Sequence, residues 1–524
     1  MTKRALRAWR VGRAWLAVLA ASAGAAAAKD TWIRARTENF EMFSSASERR
    51  SKDLLAELEQ FRASVLDYFG LRQGREPRTT VVVFKSEAAF TPYKPLYQGR
   101  PKEVLGIFVP AEDEVVIALT LESGGDEEAD PAETIFHEYV HQLFHSRGLW
   151  LPTWLNEGLA ELFSTFRVEG DQAVYGRPKD LYVDLLAQAS LLPLPRLLAV
   201  HPGSRDYNEE HRAGMFYAQS WALAHYLVCG TDRRNADKLQ RLVDLVARGT
   251  ADGTTAYAQT FGTDYRAMEQ ALRAYLGGGQ YYQRRVPLPL GDLRGRLVFR
   301  AATDTERDLA LLNLRWRVHR SGDAMLAALQ LADRDPEAAR PHELLAAIAA
   351  QDGDRERAAE RWAMAAQRKS DNDFVHLQAV KLALRDAGLT AGVEVRLEPE
   401  TAAAVRTQLD ALATKDPRAE ELLELLALAE LRAPELRPAV INHLQQATAR
   451  MQRPHRVLLA LAMIRVRAGD IPTALHIVDA IRDSARATPD VKANAELLVL
   501  SVPELRRARA AAEAAAGAGS GTRR

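Results

Sequence analysis

The stretch that decides how this chain reads is His137-Glu138-Tyr139-Val140-His141, followed after a brief gap by Trp154-Leu155-Asn156-Glu157-Gly158-Leu159-Ala160-Glu161. On an α-helix, side chains at i and i+4 share a face about 6 Å apart, so His137 and His141 can aim both imidazoles at one point. Two neutral imidazoles suit a divalent transition metal. A carboxylate from elsewhere in the chain then completes the three-ligand, open-position geometry of catalytic zinc. Glu138 borders that face, where it can take a proton from a water acidified by the ion. Glu157 is the expected third ligand, on a second helix crossing the first. Glu161, one turn further along the same face, can accept the free ring N–H of a ligating histidine. Gly158 costs about 1 kcal/mol inside a helix, and its presence predicts a close approach of the two helices there.

These residues carry a resemblance. His137 to His141 with Asn156-Glu157-Gly158 resembles the gluzincin class of zinc metallopeptidases, in which the glutamate of the second helix is the third ligand. The wording His141-Gln142, then Pro152-Thr153-Trp154-Leu155-Asn156-Glu157-Gly158-Leu159-Ala160-Glu161, is most similar to the peptidase-MA-like subset. The resemblance implies an α+β, thermolysin-like catalytic domain binding one Zn2+ through His137, His141 and Glu157. It also implies Glu138 as the general base and Glu161 behind a ligand. Only fifteen residues separate His141 from Glu157, fewer than in the thermolysin and aminopeptidase branches, so the substrate loops of those branches are not expected. Hydrolysis by this route needs a donor for the developing oxyanion. Tyr217, on an expected helix over residues 213–227, is the first candidate, with His225 and Tyr226 as alternatives. His145 extends the histidine row but sits about 12 Å along the helix axis from His137, which makes it a surface residue or a support behind a ligand rather than a ligand itself.

Outward from this core, the first 28 residues read as a secretory signal: Lys3, Arg4, Arg7, Arg10 and Arg13, then an apolar run from Ala14 to Ala28 ending in small residues. The run falls short of the roughly 20 apolar residues a membrane span needs. The expected location is therefore periplasmic or secreted, with an uncleaved membrane anchor as the alternative. Residues 29–286 form the expected peptidase-like domain. Trp32 to Ser44 reads as strand, Ala46 to Phe69 as helix, and Thr79 to Phe84 as a buried strand. Gly106–Pro110 and Glu114–Leu119 flank a polar turn as a hairpin, and Gly106–Pro110 is a candidate edge for holding an extended peptide. Ser123 to Asp126 reads as a loop, and Asp130-Pro131 as the start of the His137 helix. The chain carries 70 basic against 69 acidic residues, which leaves no electrostatic footprint for nucleic acid. Cys229 is the one cysteine, which excludes a disulfide framework and a cysteine metal cluster.

Residues 287–304 read as a linker, and 305–505 change character, rich in Ala, Leu and Arg and without strand signals. Gly322-Asp323, Gly353-Asp354 and Gly469-Asp470 each mark a turn between helical segments. Ala358, Trp362 and Ala365 after one turn, and Ala474, Val478 and Ile481 after another, have the spacing of a tetratricopeptide second helix. The region resembles a degenerate tetratricopeptide array, irregular near Thr390–Thr401, which would stack into an all-α solenoid. Residues 506–524 form a low-complexity tail. The expected function is a zinc-dependent peptidase whose repeats bind a protein substrate or partner. The alternative is a repeat-based interaction scaffold with a catalytically silent metal-binding domain.

Overall fold

The computed structural model describes residues 31–520 apart from 72–73, 123–130, 209, 391, 418, 452 and 485. The signal sequence, the loop around Ser123 to Asp126, Asp130 and the last residues of the tail lie outside the described residues. The architecture is mixed α and β, followed by a helical C-terminal region. The chain opens with strands β1 (Ile33–Arg36) and β2 (Phe40–Ser44), helix α1 (Glu48–Phe69) and strand β3 (Arg78–Phe84). Strands β4 (Gly106–Val109) and β5 (Glu114–Thr120) follow as an antiparallel hairpin. The expected single strand from Trp32 to Ser44 is in fact two, because Thr37 turns the chain and its N–H binds the Phe40 carbonyl at 2.9 Å.

A late strand, β9 (Phe299–Ala301), joins β1, so the six-stranded sheet runs β9-β1-β2-β3-β5-β4. Strands β2, β3 and β5 are mutually parallel, and β4 lies antiparallel at one edge. The Val81-Val82-Val83 run is fully buried because both faces of the sheet are covered. On one face sit α1 and the histidine helix α2 (Pro131–Ser146), with Phe61 stacked on Phe136 at 4.2 Å between ring centroids. On the other face Val82, Val116 and Ala118 pack against Ala310 and Leu314 of α6 (Asp304–Arg317). The expected linker 287–304 is thus no tether. It contains a strand of the main sheet, and α6, the first helix of the C-terminal region, closes the second face of that sheet.

Helix α3 (Thr153–Ser164) crosses α2. It leads into strands β6 (Arg167–Glu169) and β7 (Gln172–Tyr175), which β8 (Arg284–Pro287) joins as a small antiparallel sheet. Between them run α4 (Asp180–Gln188) and α5 (Glu210–Cys229). Helix α5 packs directly on α3: a Cβ on Gly158 would lie 2.4 Å from the Ser220 carbonyl oxygen.

Beyond α6 the chain is a succession of helices, among them Ala324–Arg334, Arg340–Gln351, Arg355–Gln367 and α7 (Asp373–Ala383). At two of the Gly-Asp turns the glycine takes a left-handed φ, +81° at Gly353 and +77° at Gly469. Asp354 and Asp470 then accept from the N–H of the third residue of the next helix. Ala358, Ala365, Ala474, Val478 and Ile481 are all buried, whereas Trp362 is partly exposed and stands edge-on to Phe374. The irregular section before residue 399 is gathered by a fully buried Arg432, which donates to the carbonyls of Ala387, Gly388 and Gly392 at 2.7–2.8 Å. No helix among the described residues is long and apolar enough to cross a membrane.

The helical region is docked to the rim of the main sheet by a charged network that had no local signature. Glu114 on β5 accepts from Thr80 at 2.5 Å and from Asn313 at 2.8 Å, and lies 3.4–3.7 Å from Arg78, Arg340 and Arg317. Arg78 in turn reaches Glu343 and Asp371, and Arg340 reaches Glu41 at 2.9 Å. Burial alone would raise the Glu114 carboxyl, but the three guanidinium groups outweigh it and hold the group down at about 2. A carboxyl whose folded value lies below the unfolded one, about 4.3, contributes stability above that value and loses it as pH falls toward the folded value. Melting temperature is therefore expected to hold level from pH 7 to about 5.5 and to fall below about pH 4.5. Differential scanning calorimetry with Glu114→Gln, which should flatten the acid limb, checks this.

Candidate metal centre

Helix α2 forms because Ile135, Phe136, Tyr139, Val140, Leu143 and Phe144 supply a continuous buried face. That stripe turns His137, Glu138 and His141 away from the core. Helix α3 is buried along most of its length and presents Glu157 and Glu161 toward α2. The three expected ligands converge. The two Nε2 atoms of His137 and His141 are 3.2 Å apart, and Glu157 Oε2 lies 3.5 Å from the first and 3.4 Å from the second. Tetrahedral ligands with metal bonds of about 2.0–2.1 Å are separated by roughly 3.3–3.4 Å, so the triangle has the dimensions of a tetrahedral metal site. Glu157 Oε2 is buried and has no hydrogen-bond partner, an orphan that a cation would satisfy. His137, His141 and Glu157 thus fit a metal ion.

The surrounding groups hold this triangle. Glu161 is buried, with Oε1 3.4 Å from His137 Nδ1, on the ring edge away from Glu157. Its other oxygen accepts from Lys179 Nζ, just before α4, and Tyr182 also hydrogen-bonds to this carboxylate. Tyr207 donates to Glu157 Oε1 at 3.1 Å, which fixes the carboxylate and leaves Oε2 aimed at the imidazoles. Burial would raise the Glu157 carboxyl, yet the adjoining His137 and His141 rings pull it down to about 2. Tyr182, Tyr207 and Tyr217 are all pushed up, by burial first and with a further rise from the neighbouring carboxylates.

The remaining candidates divide. Tyr217 stands beside Tyr207, with ring centroids 6.0 Å apart, and so belongs to the tyrosine pair beside Glu157. His225 is a core residue: Nδ1 meets Tyr275 Oη at 2.6 Å, Nε2 meets the Gly176 carbonyl at 2.8 Å, and burial lowers the ring to about 4. With both nitrogens engaged, it cannot serve as an oxyanion donor. Tyr226 packs on Tyr275 in the same cluster. His145 is exposed and rests edge-on against Trp150. Glu138 is exposed, and with His141 it lines a cleft of about 720 Å³. Tyr207, Tyr182 and Lys179 escaped the sequence reading. They lie 18 to 50 residues beyond the carboxylates they touch, in stretches with no distinguishing pattern.

No protein-family model and no curated protein matches this chain. The geometry therefore stands on its own. The contacts make one further expectation firm: removing Glu161, which orients a ligand ring, should weaken metal binding by about 10–100-fold. Titration of Glu161→Ala against a competing chelator measures it.

Proposed function

We propose that this chain is a zinc-dependent peptidase of the gluzincin type, hydrolysing peptide bonds in a periplasmic or secreted setting. The observation that carries the reading is the triangle of His137 Nε2, His141 Nε2 and Glu157 Oε2 at tetrahedral spacing, with Glu138 at the adjoining cleft. His137, His141 and Glu157 would hold the ion, which when bound supplies Lewis acidity to water and to the substrate carbonyl. Glu138 takes the proton from the attacking water and returns it to the leaving amine. Glu161, steadied by Lys179 and Tyr182, keeps the His137 ring oriented. Tyr217 supplies an O–H for the developing oxyanion, and its neighbour Tyr207 holds Glu157 in position. Strand β4, at the free edge of the sheet and packed against α2, offers backbone pairing to an extended peptide.

The α+β half is read as thermolysin-like, and the helices beyond it as a tetratricopeptide-type array that binds substrate or partner proteins. A catalytically silent scaffold is the competing reading. A closed structural zinc site uses four protein ligands, whereas three donors beside an exposed glutamate favour turnover. The test is zinc per chain by plasma mass spectrometry, with peptide-library cleavage in parallel. About one zinc is expected in the parent and almost none in Glu157→Ala. A parent that takes up no zinc at saturating metal overturns the proposal.

A further inference from the structure

The cleft beside Glu138 is not confined to the α+β half. Its lining passes from Phe108 and Arg75 across His141 to Phe374, Gln378 and Lys381 of α7. That helix is anchored where it begins: Asn372 Nδ2 donates to the Asp113 carbonyl at 2.8 Å, and Asp371 pairs with Arg78 at 3.0 Å. Its cleft wall is therefore fixed to the sheet rim by the same contacts that dock the helical region. Phe374 is partly exposed and backed edge-on by Trp362 at 5.5 Å, giving the wall an aromatic surface.

Some of the charges in the cleft are neutralised in place, while Glu112 and Glu138 add carboxylates to the same lining. Glu76 is taken by Arg62 at 2.6 Å and by Arg147, and Lys381 by Glu421 at 2.5 Å. Arg75 is different. Its Nη1 is buried with no hydrogen-bond partner, and no carboxylate among the described residues pairs with it. Arg75 nonetheless lines the cleft, and a guanidinium there without a carboxylate partner is matched best by an incoming carboxylate. We propose that the two halves share substrate recognition: α7 forms one wall of the cleft through Phe374, and Arg75 takes a carboxylate of an extended acidic peptide. This names the substrate class for the peptidase reading and rests on it for chemistry, though not for binding.

The test uses the whole chain carrying Glu138→Gln, immobilised and loaded with zinc. It is offered two peptide pools, acetylated and amidated, identical except that every Asp and Glu of one is Asn or Gln in the other. The acidic pool should be retained about 10-fold better, the size of one charge-assisted hydrogen bond. Adding Arg75→Gln should bring the ratio to about one, and Arg75→Lys should restore part of it. Phe374→Ala should lower retention of both pools several-fold with the acidic preference intact. A preference that survives Arg75→Gln, retention untouched by Phe374→Ala, or no retention of either pool overturns the inference. Retained peptides are then given to the parent chain: absence of cleavage with the binding pattern intact counts against the peptidase reading alone.

Discussion

Glu138→Gln should keep its full complement of zinc and lose hydrolysis by a factor of about 10²–10⁴ in kcat/KM. The argument is one of separable roles. Glu138 stands outside the triangle of donor atoms, so the ligand geometry does not depend on its charge. It is exposed on the cleft side of α2, so an isosteric amide leaves the helix packing untouched. What the amide cannot do is accept a proton. The loss corresponds to about 3–5 kcal/mol of transition-state stabilisation at 1.36 kcal/mol per tenfold. Zinc content, circular dichroism and cleavage of a peptide library, measured on one preparation, separate the outcomes. Cleavage equal to that of the parent would remove Glu138 from the mechanism and leave the silent-scaffold reading in its place.

The parts of this site that were legible from sequence are those that local periodicity encodes. His137 and His141 share a helix face because they are four residues apart, and the same rule puts Glu157 and Glu161 on one face of α3. Gly158 was legible only in part: a helical glycine without a capping role signals a close approach, but the expected partner was the His137 helix, and the helix that meets it is α5 at Ser220 and Ala224. Tyr207 was not. It sits in a helix of four residues, Arg205–Asn208, too brief to show a period, and touches a carboxylate 50 positions earlier. The docking of the helical region was equally silent. Arg78, Glu114 and Arg340 each look like ordinary surface charges in their own windows, and only the fold brings them together. Strand β9 failed for a related reason: Phe299-Arg300-Ala301 is too short to alternate, and it becomes a strand through pairing with β1. Local propensity specified the two helices that carry His137, His141 and Glu157, whereas tertiary contacts specified what surrounds them.

Gly158→Ala should cost stability and metal affinity together, although alanine is the better helix former by about 1 kcal/mol. The added methyl would lie 2.4 Å from the Ser220 carbonyl oxygen, 2.9 Å from its carbon and 3.0 Å from the Ala224 Cβ. Two of those atoms are backbone of α5, which cannot rotate aside, so α3 and α5 must separate. Overpacking of this kind costs about 1–3 kcal/mol, which outweighs the propensity gain. Because Glu157 is the neighbouring residue, the same shift moves its carboxylate relative to the imidazoles on α2. Zinc affinity should therefore fall by about 10-fold or more, since misplaced ligands weaken a site as lost supporting contacts do. Gly277→Ala is the control. That glycine is also helical, with negative φ and nothing within 4 Å of an added Cβ. There the substitution should be neutral or should raise stability by up to about 1 kcal/mol. Urea denaturation and chelator competition on the pair distinguish a tight crossing from a merely tolerated glycine. Equal behaviour of the two variants would mean that α3 is not held against α5 at Gly158, and the support for the Glu157 position would go with it.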